Sequence, residues 1–332
     1  AQTPREKILT LVNQLKGSDV DCIIAVGGGS TIDLAKMVCF CLNKQIFSKE
    51  KMQRYAKFSN GNVGDLYGQE KDEKEVRLKD NVHKPVAVIS VPSTLSGASY
   101  SESASVLDDL SNTKEGYRDK NLCPCAIFYH PELTHDTPEW LWFSSAIRAM
   151  DHAIEGLCSP NTTSFYNVQF LQALHLFSDS LPALKINYLD DRARVMAQQA
   201  EWFACTGLGR VAHGASHGIG YILTEMFDVP QGYASCVLLP AVLRWNQSAC
   251  HEQQLMISEA LGCRESSAEV IMRDLISQLG LPTSLKSIIK LPIDDHLLME
   301  VAKRAFNHPV TRRNPRQIED LGAIVAILKL SL

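Results

Sequence analysis

Three histidines stand where metal binding or proton transfer becomes possible. His213 and His217 lie four apart in RVAHGASHGIGY. On a helix that spacing puts them on one face, as in a ligand pair. His152 lies in another helical context, IRAMDHAIEG. Imidazole titrates near neutrality and, when neutral, ligates metals. Helix interiors avoid glycine unless something packs closely, so Gly214, Gly218 and Gly220 mark the segment as special. His83, His130, His135, His175, His251, His296 and His308 stand in polar or mixed surroundings and read as surface or structural.

A second kind of chemistry is offered by Gly27-Gly28-Gly29-Ser30. Glycine permits positive φ and a close backbone approach. Free N–H groups and the dipole at a helix start attract anions. Ser30 can cap that helix and donate to a phosphate oxygen. Three consecutive glycines exceed what a tight turn needs, so the segment points to a phosphate or pyrophosphate. It is neither the G-x-G-x-x-G fingerprint nor a P-loop. Ser93 and Thr94, in PSTLSGAS, offer hydroxyls to a cofactor's phosphate or amide; a plain serine-rich loop is the alternative. They follow an apolar run, at the strand end where α/β sheets bind ligands.

These residues need elements to hold them. Ile8, Leu9, Val12 and Leu15 recur at helical spacing, which predicts a helix over 3–16. DCIIAV (21–26) reads as a buried parallel strand, and 30–42 as the helix after the glycine turn. PVAVISV (85–91) is a second buried strand, and 126–129 a third short apolar stretch. The run QEKDEKEVRLKD (69–80) reads as a solvated surface. Strands alternating with helices predict a parallel α/β sheet. Beyond about residue 137 helical periodicity dominates: 138–157, 164–184, 189–208, 213–224, 232–247, 252–262, 266–279, 294–305 and 317–330. The expected plan is an α/β domain over 1–135 and an all-helical domain over 136–332.

Composition excludes several classes. The 332 residues are 45% hydrophobic and 21% charged, ordinary for a globular chain. The formal net charge of -4 gives no electrostatic footprint for nucleic acid and no polybasic surface for a membrane. The ten cysteines are scattered, and most sit in apolar company, as small buried hydrophobes do. Reduced thiols and no leader-like apolar segment at the start give the expectation of a cytoplasmic protein.

GGGSTIDLAK (27–36) resembles the cofactor-phosphate motif of the iron-containing alcohol dehydrogenase family. VPSTLSGASYSE (91–102), IRAMDHAIEG (147–156), HGASHGIGY with VPQGYASCVLLPAVLRWN (213–246) and NPR (314–316) are similar to its later motifs, in order. Within the family they look closest to the maleylacetate reductase-like branch and its fungal relatives. The resemblance implies a dehydroquinate synthase-like architecture: a dinucleotide-binding α/β domain and a helical domain. It implies that Gly27, Gly28, Gly29, Ser30 and Asp33 contact NAD(P), with Ser93 and Thr94 flanking it. It places His152 and His213 at metal-ligand positions, and His217 near the nicotinamide and substrate.

Two departures shape the expectation. The family's metal site is one Asp and three His. Its Asp position is Arg148 here, and its last His is Gln231. A cation in place of an anionic ligand repels a divalent metal, and glutamine suits a transition metal poorly. Asp151 projects about 100° from His152 around a helix. No metal is therefore expected. Secondly, 26 residues precede Gly27, where the family carries a strand–helix–strand segment, so the α/β domain is expected to lack its first strands. The expected function is metal-independent reduction of a carbonyl or keto acid by NAD(P)H. Arg148 would pair a substrate carboxylate bidentately, with His217, His213 or Tyr221 as acid or base. The alternative is a non-redox enzyme using Arg148, His152, His213, His217 and Gln231 for cyclisation, dehydration or isomerisation; a non-catalytic interaction partner is the third. The expected ligand is a small polar or acidic oxygenated molecule. A homodimer is expected, because an uncovered sheet edge invites pairing.

Overall fold

The structure is a computed structural model. It describes residues 3–56, 58–59, 62–63, 85–108 and 113–332. The charge run 69–80 and His83 lie outside the described residues. The chain forms two compact units. The first runs to Pro92 and resumes over Ser101–Phe128; the second holds Ser93–Tyr100 and Tyr129–Leu332. The 93–100 loop, assigned to the first domain by a single cut at 135, thus packs with the second.

In the first unit the order is α1 (Arg5–Gln14), β1 (Cys22–Gly27), α2 (Gly29–Asn43), α3 (Lys49–Gln53), β2 (Phe58–Ser59), β3 (Asn62–Val63), β4 (Ala87–Pro92), β5 (Ser103–Asp108), β6 (Thr113–Arg118) and β7 (Ala126–Ile127). β1, β4 and β7 form a three-stranded parallel sheet in the order β1-β4-β7. The β-branched run of β1 suits a strand, but it is not buried as expected. Ile24 and Val26 are 63% and 56% exposed, because β1 is an edge strand and these two alternate residues share its uncovered face. α2 packs on β1 and β4 and buries Ile32, Ala35, Met37 and Val38.

The expected parallel sheet is joined by a second, antiparallel sheet that the sequence reading did not include, β3-β2-β6-β5. Its sequence signal is the alternation in Ser103–Asp108, which buries Ala104, Val106 and Asp108 on one face. A polar residue at the third inward position hides that pattern. The Asp108 carboxylate is paired: Arg5, buried on α1, lies 3.2 Å from it and also pairs with Glu115. Burying such charges is tolerable only when they are matched.

The second unit is helical: α4 (Glu139–Leu157), α5 (Ser164–Ile186), α6 (Asp191–Cys205), α7 (Ala215–Phe227), α8 (Gln231–Asn246), α9 (His251–Ala260), α10 (Ala268–Gln278), α11 (Leu285–Ile288), α12 (Asp295–Asn307) and α13 (Leu321–Leu330). α4 is buried on every side from Trp142 to Leu157, which marks it as the central helix. It packs with α5, α6 and α8 in one core. A second core joins α7, α8, α12 and α13. Leu95 enters the first core, and its N–H donates to Ser145 Oγ on α4 at 3.0 Å.

Two glycines of α7 test this packing. A Cβ on Gly218 would stand 2.1 Å from Thr311 Oγ1 and 2.6 Å from its backbone nitrogen, whereas one on Gly220 would meet nothing closer than 3.6 Å. Gly218→Ala should destabilise the protein by about 1–3 kcal/mol through overpacking. Gly220→Ala should be neutral or stabilise by up to about 1 kcal/mol through helix propensity. Urea unfolding of the two variants checks the contrast; equal midpoints would contradict it.

Candidate active site

The site is built where α7 begins. The first N–H groups of a helix have no intrahelical partner, and the cap residue Gly214 has no side chain to supply one. Two residues from elsewhere do so. Glu155 on α4 accepts from the N–H groups of Gly214 (2.9 Å), Ser216 (2.7 Å) and His217 (3.3 Å). Asn314 Oδ1 accepts from Ala215 at 3.2 Å and from Asn246 at 3.0 Å. Asn314 heads the NPR motif, whose Arg316 stacks on Trp245 at 3.7 Å.

The same carboxylate orients a histidine. His217 Nδ1 lies 2.8 Å from Glu155 Oε2. With its proton on Nδ1, its lone pair sits on Nε2. That Nε2 is 2.7 Å from His152 Nδ1, and His213 Nε2 is 3.3 Å from the same atom. Three ring nitrogens therefore converge on one buried point. The rings of His213 and His217 stack with centroids 4.2 Å apart. Burial, reinforced by the Arg148 charge, holds all three imidazoles below their ordinary range, His213 down to about 3. They are neutral at physiological pH, the form that ligates metals.

A carboxylate and a guanidinium line the next layer. Asp151, fully buried, accepts through Oδ2 from Ser216 Oγ (2.9 Å) and Ser235 Oγ (2.7 Å). Its Oδ2 is also 3.6 Å from His217 Nδ1 and 3.6 Å from Arg148 Nη1. Burial raises the pKa of both Asp151 and Glu155, and the Asp151 charge raises Glu155 further. Arg148 Nη1 donates to Ser235 Oγ at 3.1 Å. Its Nε and Nη2 have no protein partner among the described residues. The guanidinium lies 5.4 Å over the Tyr221 ring. Tyr221 stands 6.3 Å from His217 and 5.4 Å from His308, between ring centroids.

The residues expected to hold a cofactor have their own geometry. Gly27 has φ +149°, and a Cβ on it would stand 2.8 Å from Thr31 Oγ1, so the turn must be glycine. Gly28 is the cap of α2, and Gly29 and Ser30 form its first turn, with no side chain closing the cap. That leaves backbone donors for an anion. Asp33 is turned inward: its Oδ2 accepts from the Ser105 N–H at 3.1 Å and its Oδ1 lies 3.5 Å from Lys36. In the second unit Thr94 is buried, with no protein partner for its Oγ1. Ser93 offers its carbonyl to Thr137 Oγ1 at 2.8 Å.

Several expectations change. His213 and His217 do not share a helix face, since α7 starts at Ala215; the turn into the helix folds His213 back over His217. Gln231 is exposed at the first turn of α8, and no hydrogen bond joins it to the histidines. Asp151 does reach His217, because α7 and not α4 carries that ring. The expectation of no metal is countered by the donors themselves. His152, His213 and His217 place ligand atoms within 4.8 Å of one another, as do Asp151, Glu155 and His217. Counting lost family ligands overlooked the third imidazole and the carboxylate that aims it. A histidine whose far nitrogen is held by a carboxylate is a familiar outer arrangement of metal sites. The donor set thus fits a divalent cation. His308, read as surface or structural, is buried, and its Nδ1 accepts from the Val310 N–H at 3.3 Å. The sequence signal for Glu155 was its spacing of four from Asp151.

The α/β unit carries a glycine turn with free backbone donors, and the helical unit carries a buried histidine centre. The iron-containing alcohol dehydrogenase family models match residues 1–131 and, through the C-terminal model of the family, 143–332. The chain belongs to that family. It is 27% identical over 362 aligned residues to the dehydrogenase FUM7 of Gibberella moniliformis, covering 99% of this chain and 81% of that one. It is 27% identical over 301 residues to the maleylacetate reductase of Pseudomonas sp. (strain P51), covering 90% and 71%. The sulfoacetaldehyde reductase of Bifidobacterium kashiwanohense, solved with NAD+, superposes with a TM-score of 0.80 at 19% identity, over 99% of this chain and 80% of that one. That likeness establishes the fold. Among the described residues no helix is long and apolar enough to cross a membrane.

The depressed imidazoles set a pH dependence. His213 titrates near 6.5 when unfolded and at about 3 when folded. Its contribution to stability is present above about pH 6.5 and lost as pH falls towards 3. At about 1.36 kcal/mol per pH unit, chelator-treated wild type should lose on the order of 2 kcal/mol relative to His213→Gln between pH 6.5 and 4.5. Urea unfolding at both pH values reads the difference; parallel losses would contradict a buried neutral ring.

Proposed function

We propose that the protein reduces the carbonyl of a small keto acid with NAD(P)H, using a divalent metal held by His152, His213 and His217. The observation that carries this reading is the convergence of three neutral imidazole nitrogens beside a guanidinium with unpartnered donors. Membership of a family of oxidoreductases and the likeness to maleylacetate reductases support it. The backbone N–H groups at Gly28, Gly29 and Ser30 would hold the cofactor pyrophosphate.

The metal, when bound, supplies Lewis-acid polarisation of the substrate carbonyl. The chain's own residues do the rest. Arg148 presents Nε and Nη2 to a substrate carboxylate, a bidentate pairing that fixes orientation, while Ser235 and Asp151 hold the guanidinium in place. Glu155 keeps the His217 proton on Nδ1, which fixes the tautomer. Burial excludes water from the histidines. Tyr221, beside His217 and under Arg148, is placed to hand a proton to the oxygen that gains charge during hydride transfer.

A second reading rests on the 2.7 Å hydrogen bond between His217 and His152. Two imidazoles sharing a proton, backed by two buried carboxyl groups, can perform acid–base chemistry such as dehydration or isomerisation without nicotinamide.

Titration with NADH and NADPH, followed by assay with keto acids of increasing carboxylate content, separates the readings. Saturable binding and keto acid-dependent NAD(P)H oxidation are expected. Arg148→Ala should lower kcat/KM by roughly 10- to 100-fold, the worth of a hydrogen bond to a charged group, mainly through KM. Turnover with no nicotinamide present would favour the second reading. Absence of cofactor binding at millimolar concentration would overturn the first.

A further inference from the structure

The chain has ten cysteines, and two that lie far apart in sequence meet in the second unit. Cys158 caps the C-terminal end of α4, and Cys250 the N-terminal end of α9. They are 8% and 2% exposed and belong to one core. Both are free thiols, hydrogen-bonded to each other. Cys205 and Cys236 are as deeply buried, but the groups that act on them are carboxylates and a guanidinium.

The surroundings of Cys250 make the two sulfurs unequal. Cys250 Sγ donates to the Asn246 carbonyl at 3.3 Å and accepts from Gln254 Nε2 at 3.5 Å. With Cys158 as a second donor, the Cys250 sulfur is the one on which negative charge is favoured. The hydrogen bond from Cys158 holds the Cys250 thiol below its usual range, against burial and with help from Gln254. The same bond, reinforced by burial, pushes Cys158 up. One sulfur is thus suited to attack as a thiolate, and the other to follow as a thiol.

The pair lies just under the surface. Cys158 is followed closely by exposed Pro160 and Asn161, and Cys250 is preceded by exposed Gln247, Ser248 and Ala249. Joining the sulfurs orphans no polar group. The Asn246 carbonyl would lose the Cys250 thiol but keep the N–H groups of Ala249 at 2.9 Å and Cys250 at 3.1 Å. Gln254 Nε2 would keep the Leu243 carbonyl at 2.8 Å. An S–S bond of about 2.05 Å requires the sulfurs to close in from hydrogen-bonding contact. Both residues stand at helix ends, which fray, and neither is fixed inside a helix.

We propose that Cys158 and Cys250 form a reversible disulfide, made by a hydroperoxide, that staples the end of α4 to the start of α9. With hydrogen peroxide the Cys250 thiolate attacks one oxygen; an S–O bond forms and the O–O bond breaks. The departing hydroxide takes up the proton that Cys250 gave away. Cys158 then attacks the Cys250 sulfenic acid; the S–S bond forms as the S–O bond breaks. The Cys158 proton leaves with that oxygen as water. The two sulfurs lose two electrons, and one peroxide becomes two waters. Between the two cysteines the chain runs through α5, α6, α7 and α8, so the staple closes a loop that contains His213 and His217. Such a loop constrains the unfolded chain, and the oxidised protein resists unfolding. None of this depends on the reductase reading.

Peroxide-treated protein, alkylated in denaturant and mapped by mass spectrometry, reads the site without any assay of turnover. A cross-linked peptide joining Cys158 to Cys250 is expected, and dithiothreitol should remove it. The urea midpoint should rise by at least about 0.5 M on oxidation. Cys250→Ser should abolish both the cross-link and the rise. Cys263→Ser, at an exposed thiol outside the pair, should retain both. The wild-type map stands even where Cys250→Ser fails to fold. Full alkylation of Cys158 and Cys250 in protein whose Cys263 has been oxidised would overturn the proposal. So would sulfinic acid at either residue without the cross-link, or a midpoint rise that survives in Cys250→Ser.

Discussion

The Glu155 carboxylate at the start of α7 is the interaction on which the rest of the site depends. It closes the orphan N–H groups of one helix with a side chain from another. It also fixes the tautomer and aim of His217. The cost of burying a carboxylate is offset by four donors and by the positive end of the α7 dipole. Because Glu155 and His152 are both on α4, the contact that docks α7 also brings His217 and His213 onto His152. Asp151 and Asn314 complete the frame, one through the serines of α7 and α8 and the other through the next helix N–H. Removing one partner from such a buried network leaves the others unpaired, so its loss would act on fold and site together.

Much of the fold was legible because the relevant signals are local. Helical periodicity placed α4 through α10 and α12 to α13 within a few residues of their ends. The apolar runs before Gly27 and Pro92 gave β1 and β4. The antiparallel sheet was not legible, because its inward face carries Asp108, whose charge is matched from far earlier in the chain, by Arg5 with Lys49 as a second partner. Local alternation cannot show that partner. The exposure of Ile24 and Val26 was hidden for a related reason. A parallel strand with two covered faces and an edge strand have the same composition.

The site was legible by residue type and less so by arrangement. His152, His213, His217, Arg148 and Tyr221 do lie together in the helical unit. Gln231, chosen for its place in a motif, stays on the surface. Asp151 was set aside by a one-helix argument that holds within α4 and fails once α7 supplies the receiving ring. The expectation of no metal finds no support in this geometry. Substituting Arg148 for an aspartate removes a ligand, yet Asp151 and Ser235 hold that guanidinium, and the three imidazoles still face one another.

Cobalt(II) titration of chelator-treated protein, followed by visible absorption and calorimetry, tests the central claim most directly. The histidine centre predicts one equivalent bound with a ligand-field spectrum, abolished by His152→Ala and weakened by roughly 10- to 100-fold in Glu155→Gln, as for outer partners of metal ligands. No binding at millimolar cobalt, or binding unchanged in His152→Ala, would contradict it.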